Sequence, residues 1–139
     1  MSLYNSNRLI RDANLRGSAY LPAANATANI TPFNGNIGAG TFKPEEMEIE
    51  VAFPALPNHT NTGLSITATL QDSADGVTFA NTNPLIQASV PGVAATGSLA
   101  TVFRFRPPAN IRQYFQIQLS VPSTDGNNTA AQVTIQILL

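Results

Sequence analysis

The chain has 139 residues, of which 43% are hydrophobic and only 11% are charged, and its formal net charge is −1. The charged fraction is well below the roughly 25% of an average soluble protein, and the lack of basic excess argues against nucleic acid as a partner, because phosphates are usually held by basic patches. The chain has no cysteine, which excludes disulfides and cysteine-ligated zinc.

The N-terminal residues carry no apolar stretch of signal-peptide length. No apolar run anywhere approaches the roughly 18 residues that span a bilayer. We therefore expect a protein that is made in the cytoplasm and has no membrane partner.

Residues 1–44 show no sustained hydrophobic period, and we interpret them as an irregular N-terminal arm. The stretch "PFNGNIGAGTFKP" holds three glycines and two prolines, which excludes a long helix. "SNRLIRDANLR" is compatible with one or two helical turns, and a short strand is expected near Ala28–Thr31. A segment of this length with so little structure usually lies outside a compact core. Apolar and aromatic residues punctuate it, which predicts that it lies on a partner surface through Arg8, Leu9, Ile10, Arg11, Leu15, Tyr20, Phe33 and Phe42.

From residue 45 to residue 139 the hydrophobic pattern alternates with a period of two, which is a strong strand signal. Five runs show it: "EMEIEVAF", "LSITATLQ", "LATVFRFR", "YFQIQLSV" and "QVTIQILL". "GVTFANT" and "PLIQASV" are weaker candidates. One apolar face per strand suits two antiparallel sheets packed face to face. We therefore predict an all-β domain, an antiparallel β-sandwich or jelly roll of about seven to eight strands.

Asp72 and Asp75 lie in "DSADGVTFANTN" beside Gly76, and they raise the question of a metal or catalytic site. An EF-hand loop needs a glycine at its sixth position and a glutamate at its twelfth, and this stretch has neither. Asp and Ser cap turns with their own side chains, and glycine accepts a positive φ. The spacing therefore favours a turn between two strands.

The remaining chemically suggestive residues favour structural roles. His59 is the only histidine, and we expect it to be an exposed loop residue. Glu46, Glu48 and Glu50 form a stripe on one strand face. This stripe either pairs with Arg104 and Arg106 across strands or faces a basic patch on a partner.

The most distinctive stretch is "FRFRPPANIRQYFQIQL", in which a strand ends at a double proline and a short turn starts the next strand. Two alternatives stay open for Arg112 and Tyr114 in this stretch. They either meet a partner or belong to a loop with a packed aromatic side chain.

Two of these stretches, "ITATLQDSADGVTFANT" and "FRFRPPANIRQYFQIQL", together with an irregular arm and a closing apolar strand, resemble a known family. Residues 46–139 are similar to small head proteins of tailed phages called capsid cement or decoration proteins, in particular the family typified by the cement protein of the Bordetella short-tailed phage. The arm matches in character only.

The resemblance implies a sandwich or jelly-roll subunit, a dimer or trimer, on the outer surface of the major capsid protein lattice of the virion. Its role would be to hold capsomers together once the head has expanded. The resemblance carries over no catalytic residue, cofactor or metal.

Two other function classes compete with this expectation. A tail, receptor-binding or carbohydrate-binding sandwich would want a platform of exposed aromatic side chains, and the chain has no Trp and three Tyr. An enzyme would have to work with one histidine and few acids outside the glutamate stripe. We therefore expect no enzymatic activity.

Overall fold

The computed structural model describes residues 11–31 and 47–138, with side chains from Leu15 onward, and these residues form strands and turns. Every strand pair is antiparallel. The prediction of an all-β antiparallel sandwich is confirmed. Nine strands lie within the described residues: β1 Arg11–Tyr20, β2 Ala26–Ile30, β3 Glu48–Phe53, β4 Ser65–Ser73, β5 Ala80–Asn81, β6 Gln87–Pro91, β7 Thr101–Phe105, β8 Tyr114–Val121 and β9 Gln132–Leu138.

The strands divide into two sheets. The four-stranded sheet has the order β1-β9-β3-β7. The five-stranded sheet has the order β2-β8-β4-β5, and β6 pairs with β4 beside β5. Apart from the local pairing of β4 with β5 and β6, neighbouring strands are distant in sequence. β9 lies between β1 and β3, and β8 lies between β2 and β4, so the sandwich depends on long-range pairing.

The core lies between the two sheets and is built from the alternating apolar positions that the sequence predicted. The longer strands contribute alternate side chains, as expected when successive side chains point to opposite faces. Burying each such aliphatic side chain stabilises the fold by roughly 1.5–3 kcal/mol. The most deeply buried members, with at most 1% of their surface exposed, are Ile30, Ile49, Val51, Leu56, Ile66, Ala68, Leu70, Ile117, Leu119, Val133, Ile135, Ile137 and Leu138.

The N-terminal segment departs from the predicted irregular arm wherever the structure describes it. Residues 11–16 lie in strand β1, not in a helical turn, and β1 pairs with β9. The short strand expected near Ala28 is found as β2, which pairs with β8. Residues 11–31 therefore supply an edge strand to each sheet. The division of the chain at residue 44 stays a prediction, because residues 32–46 lie outside the described ranges.

The two weaker strand candidates also form strands. "GVTFANT" contributes only the two-residue β5, while "PLIQASV" contains most of the five-residue β6. Both pair with β4. They share one partner because β4 is long enough to hold them one after the other along the same edge.

Candidate functional site

The stretch around Asp72 and Asp75 is the turn that the sequence favoured. It follows β4, and Gly76 adopts a φ of +77°, a conformation that costs glycine little. The Asp75 Oδ1 accepts hydrogen bonds from the backbone N–H groups of Val77 and Thr78 at 2.9 and 3.0 Å. Ser73 Oγ donates to the same oxygen at 2.8 Å. Asp75 is therefore the residue that organises the turn.

Hydrogen bonding also sets the ionisation of Asp75. The backbone N–H groups of Thr78 and Val77, in that order of effect, and then the Ser73 hydroxyl lower its pKa from 3.8 to about 2. All three donors stabilise the carboxylate over the acid. The side chain is open to solvent. Its charge therefore accepts hydrogen bonds from the backbone of the turn and is not paired with a buried cation.

Asp72 has a different role, as the buried partner of Arg112. Its Oδ1 accepts hydrogen bonds from the Arg112 Nε at 3.0 Å and Nη2 at 2.7 Å, and its Oδ2 accepts one from the Arg112 backbone N–H at 3.0 Å. Nη2 also donates to the Asp72 backbone carbonyl at 3.0 Å. Hydrogen bonding to Asp72 raises the pKa of Arg112. We call this group the Asp72–Arg112 clamp, and it fastens the loop before β8 to the end of β4.

Tyr114 packs against the same turn. A Cβ atom placed on Gly76 would lie 3.3 Å from the Tyr114 ring, so the ring covers the glycine directly. The packed-aromatic alternative therefore describes Tyr114, and Arg112 is engaged within its own chain. A partner role for Arg112 and Tyr114 stays a prediction, and it must act through the surfaces that these contacts leave exposed.

His59 is not the exposed loop residue that we expected. Its side chain is fully buried, and its Nε2 lies 2.8 Å from the Val90 carbonyl oxygen. Its Nδ1 lies 2.8 Å from the Asp125 Oδ2, and the Asp125 side chain is buried as well. The expectation was wrong because the loops at this end of the sandwich fold over the ring.

The contacts of His59 join its ring to strand β6 and to Asp125. A carbonyl oxygen only accepts, so Nε2 donates to Val90. On the other side of the ring, Nδ1 and the Asp125 carboxylate have no partner among the described residues other than each other, at a distance of 2.8 Å. Such an arrangement suits a buried polar pair that holds two loops together.

A catalytic use of His59 would need a nucleophile at Nε2, as in the serine-histidine-aspartate arrangement. Ser98 is a buried serine whose backbone is hydrogen-bonded to that of Leu56, three residues before His59. However, Nε2 is directed at the Val90 carbonyl. The ring is sealed from solvent, so a substrate has no approach to it in this conformation.

One member of the glutamate stripe, Glu50, pairs across strands as in the first of the two alternatives considered above; for the stripe as a whole the choice between them stays a prediction. Glu50 and Arg104 are direct cross-strand neighbours, and the Arg104 Nε and Nη2 donate to the Glu50 Oε2 at 2.9 and 2.8 Å. One strand further, Arg16 Nε donates to the Gln136 Oε1 at 3.1 Å. The outer face of the four-stranded sheet thus neutralises the Glu50 charge internally. Glu46 lies outside the described residues.

The outer face of the five-stranded sheet carries no charged side chain among the described strand residues. The register aligns Thr27, Ser120, Thr67 and Ser89 in one row across β2, β8, β4 and β6. A second row holds amides and a hydroxyl. We call this surface the amide–hydroxyl face, and it comprises Thr27, Asn29, Ser65, Thr67, Thr69, Gln71, Gln87, Ser89, Gln116, Gln118 and Ser120.

Hydrogen bonds join side chains across this face. The Gln116 Nε2 donates to the Gln71 Oε1 at 2.8 Å, and the Gln71 Nε2 donates to the Asn81 Oδ1 at 3.0 Å. The Gln87 Nε2 donates to the Thr69 Oγ1 at 2.8 Å. A surface whose side chains are held by one another loses little conformational entropy on binding. The face is therefore uncharged and largely fixed. Its exposed members are Thr27, Asn29, Ser65, Gln87 and Ser89, whereas Thr69, Gln71 and Gln116 are buried.

The predicted partner-binding residues of the N-terminal segment fall into three groups. Leu15 is half-buried and packs against the core, and Tyr20 is 60% exposed. The backbone of Arg11 pairs with Leu138, but its side chain is outside the described set. The rest lie outside the described residues altogether: Arg8, Leu9, Ile10, Phe33 and Phe42.

Over residues 11–31 and 47–138, no group of three or more His, Cys, Asp or Glu side chains is arranged to hold a metal ion. Within the same part of the chain, no helix has the length and apolar character needed to cross a membrane. A comparison with protein-family models and a search of curated proteins find no match to the chain.

Sequence reasoning missed the His59–Asp125 pair and the amide–hydroxyl face. The two members of the pair are 66 residues apart (125 − 59), and no local signal links them. The face was visible in part, since Thr, Ser and Gln alternate with apolar residues in β4 and β8. What the sequence lacked was the strand order that places these residues side by side.

Proposed function

We propose that the chain is a structural virion protein, a capsid cement or decoration protein that binds the outer surface of a phage major capsid lattice and stabilises the expanded head. The observation that carries this proposal is the amide–hydroxyl face, whose exposed residues are all uncharged. Protein interfaces are depleted of charged residues at their centre and are often bridged by water. The resemblance of residues 46–139 to the cement proteins supports the same function.

The pairing of charges within the chain adds to this argument. Glu50 pairs with Arg104, and Asp72 pairs with Arg112. Charges that are satisfied inside the subunit need no counter-charge on a partner, so binding depends on shape and on hydrogen bonds. This suits a protein that must add to a finished lattice at many equivalent positions.

The partners are the major capsid protein and further copies of the chain, in a dimer or trimer, with no nucleic acid and no membrane. The arm residues Arg8, Leu9, Ile10, Phe33 and Phe42 extend the contact across a neighbouring subunit. Tyr20 lies where β1 ends and belongs to the same proposed contact set.

The test is co-sedimentation of the full chain with expanded phage heads that lack a decoration protein. Removing residues 1–44 would be a poor probe of the arm, because it also removes β1 and β2. Charge-introducing variants are sharper. We expect saturable binding at a stoichiometry that matches the head symmetry, and we expect Gln118→Lys and Ser89→Lys on the face to weaken it.

The matched control is Val77→Lys, which adds the same charge at a side chain that is 82% exposed in the turn after β4. It should bind like the unmodified chain. Failure of the full chain to bind heads would overturn the proposal and favour a tail or receptor-binding module. Equal loss in all three lysine variants would show that the amide–hydroxyl face is not the docking surface.

A further inference from the structure

A cleft of about 370 Å³ opens at the end of the sandwich that holds the His59–Asp125 pair. Its volume is within the range of about 300–1,000 Å³ that small-molecule sites occupy. None of its lining residues is charged. They are Pro54, Ala55, Pro57, Asn58, Asn127, Asn128, Ala130, Ala131 and Gln132.

The two walls of the cleft are fastened to each other. The Asn58 Nδ2 donates to the Asn127 carbonyl oxygen at 2.6 Å, and the Asn128 Oδ1 accepts from the Asn58 backbone N–H at 3.2 Å. Gly126 allows this approach, since a Cβ there would lie 2.1 Å from the Asn58 carbonyl oxygen. The cleft is therefore formed before any ligand arrives, which reduces the entropic cost of binding.

The His59–Asp125 pair reinforces the same walls. His59 follows Asn58 directly, and Asp125 is two residues before Asn127. The contact of 2.8 Å between their side chains ties the two loops together behind the cleft. This gives the buried pair a role in shaping a surface site, although no ligand can reach the pair itself.

An exposed tyrosine stands beside the cleft. Tyr20 is the cross-strand neighbour of Gln132, which lines the cleft. Side chains of such neighbours have Cβ atoms roughly 4.5–5.5 Å apart. Tyr20 is 60% exposed, so most of its side chain is accessible to solvent. The cleft thus has amides on its walls and an exposed aromatic residue on the strand next to Gln132.

The amides retain hydrogen-bonding capacity. The Gln132 Nε2 donates to the Ser18 Oγ at 3.0 Å, which leaves its Oε1 with no partner among the described residues. Asn58 uses its Nδ2 on Asn127, so its Oδ1 is likewise available within the described part of the chain. Amide oxygens accept hydrogen bonds from hydroxyl groups, and amide nitrogens donate to them.

We propose that this cleft binds an uncharged saccharide, with Tyr20 packed against a face of a sugar ring and the side chains of Asn58 and Gln132 hydrogen-bonded to its hydroxyl groups. A charged ligand would meet no opposite charge among the lining residues. A wholly apolar ligand would leave the wall amides without partners, which is costly. A saccharide has both the apolar ring face and the hydroxyl groups that the cleft can satisfy.

The cleft shares Tyr20 with the proposed capsid contact set, but it is separate from the amide–hydroxyl face that carries the proposed function, so saccharide binding by the free chain tests this proposal on its own. The test is a two-dimensional NMR titration of the full chain with cellotetraose, maltotetraose and chitotriose as neutral probes and with oligogalacturonate as the charged probe, each up to about 10 mM. We expect saturable shifts for at least one neutral probe, confined to residues 19–21, 54–58 and 127–132.

Variants locate the contacts. Tyr20→Ala and Gln132→Ala should each weaken binding by about tenfold, the effect of losing one aromatic or hydrogen-bond contact. Tyr20→Phe keeps the ring and should bind like the unmodified chain, as should the exposed control Val77→Ala. The inference is overturned if no neutral probe binds, if only oligogalacturonate binds, or if Tyr20→Ala leaves the shifts unchanged.

Discussion

The two ends of the sandwich are each closed by an acidic and a basic side chain, but the two pairs meet solvent differently. At one end of β4, Asp72 and Arg112 form the clamp, with side-chain exposures of 8% and 46%. At the other end, near the start of β4, the side chains of His59 and Asp125 are both at 0%. One pair is open to water on its basic side, and the other is sealed on both.

The difference separates two ways of using a charged pair. In the sealed pair, each side chain is tolerated in the interior only because the other is present, since a single buried charge is costly to leave unpaired. In the open pair, water can replace lost contacts around the arginine, so the pair contributes less to stability through its charge. Its main effect is to hold the loop in place, because several hydrogen bonds join one side chain to one strand end. Disrupting the sealed pair should therefore do the greater damage.

The largest effect should come from Asp125→Ala. The change leaves the His59 Nδ1 buried without a partner and unties the loops that wall the cleft. We expect the free energy of unfolding to fall by about 3–5 kcal/mol, as for other buried pairs that lose one partner. Urea denaturation followed by circular dichroism measures this change. The slope of the unfolding free energy against urea concentration is compared with that of the unmodified chain.

The control is the double variant His59→Leu with Asp125→Leu, which removes both polar groups together. Replacing both members of a buried pair by apolar residues is often nearly neutral. Recovery of most of the lost stability would confirm that the cost in the single variant arises from an unpaired group. A single-variant loss within about 0.5 kcal/mol, typical of surface sites, would contradict the sealed-pair interpretation.

A smaller effect is expected from Arg112→Ala at the open end. Arg104→Ala provides the match, because Arg104 is 49% exposed and also pairs with a strand carboxylate. An exposed ion pair such as Arg104 with Glu50 contributes about 0.2–1 kcal/mol. Arg112→Ala should lower the free energy of unfolding by more than Arg104→Ala, since the Arg112 guanidinium also binds a backbone carbonyl and fixes the loop before β8.

Thermal unfolding ranks the two arginine variants, and amide hydrogen exchange locates the change. In Arg112→Ala, faster exchange should appear in residues 109–113 and near the end of β4, whereas Arg104→Ala should leave those amides unaltered. If the two variants have equal stability and equal exchange, the clamp contributes no more than an ordinary surface pair.

The sequence predicted most of the sandwich because its strands carry their signal locally. β3, β4, β8 and β9 alternate cleanly between apolar and polar residues, and each lies where the alternation placed it. β1 was missed for a physical reason, since "RDANLRGSAY" contains small and polar residues that show little alternation. Its strand structure comes from pairing with β9, a contact with the far end of the chain.

The candidate sites were less predictable than the fold. The Asp75 turn needs only neighbouring residues, and it was predicted. The clamp joins residues 40 apart and the sealed pair joins residues still further apart, so neither is visible without the strand order. His59 shows the limit most clearly, because a histidine in a loop rich in Pro, Asn and Thr has the sequence of an exposed residue and is completely buried.

The smallest effect concerns Asp75, which lies at the same end as the clamp but is fully open to solvent. This residue tests how hydrogen bonds stabilise a carboxylate that is not buried. Its pKa is lowered from 3.8 to about 2 by the N–H groups of Thr78 and Val77 and by Ser73. A carboxylate with a lowered pKa in the folded state stabilises that state fully above its unfolded pKa, and the contribution is lost as the pH falls through the folded pKa.

The Asp75 turn should therefore be stable at pH 4 and above and should loosen near pH 2. The amide proton shifts of Val77 and Thr78, followed by NMR, should titrate with a midpoint near 2. In Asp75→Asn the amide keeps an acceptor oxygen but does not ionise, so these shifts should stay flat over the same range. A midpoint near 3.8 in the unmodified chain would mean that the turn hydrogen bonds do not favour the charged form, and the open end would then depend on Asp72 and Arg112 alone.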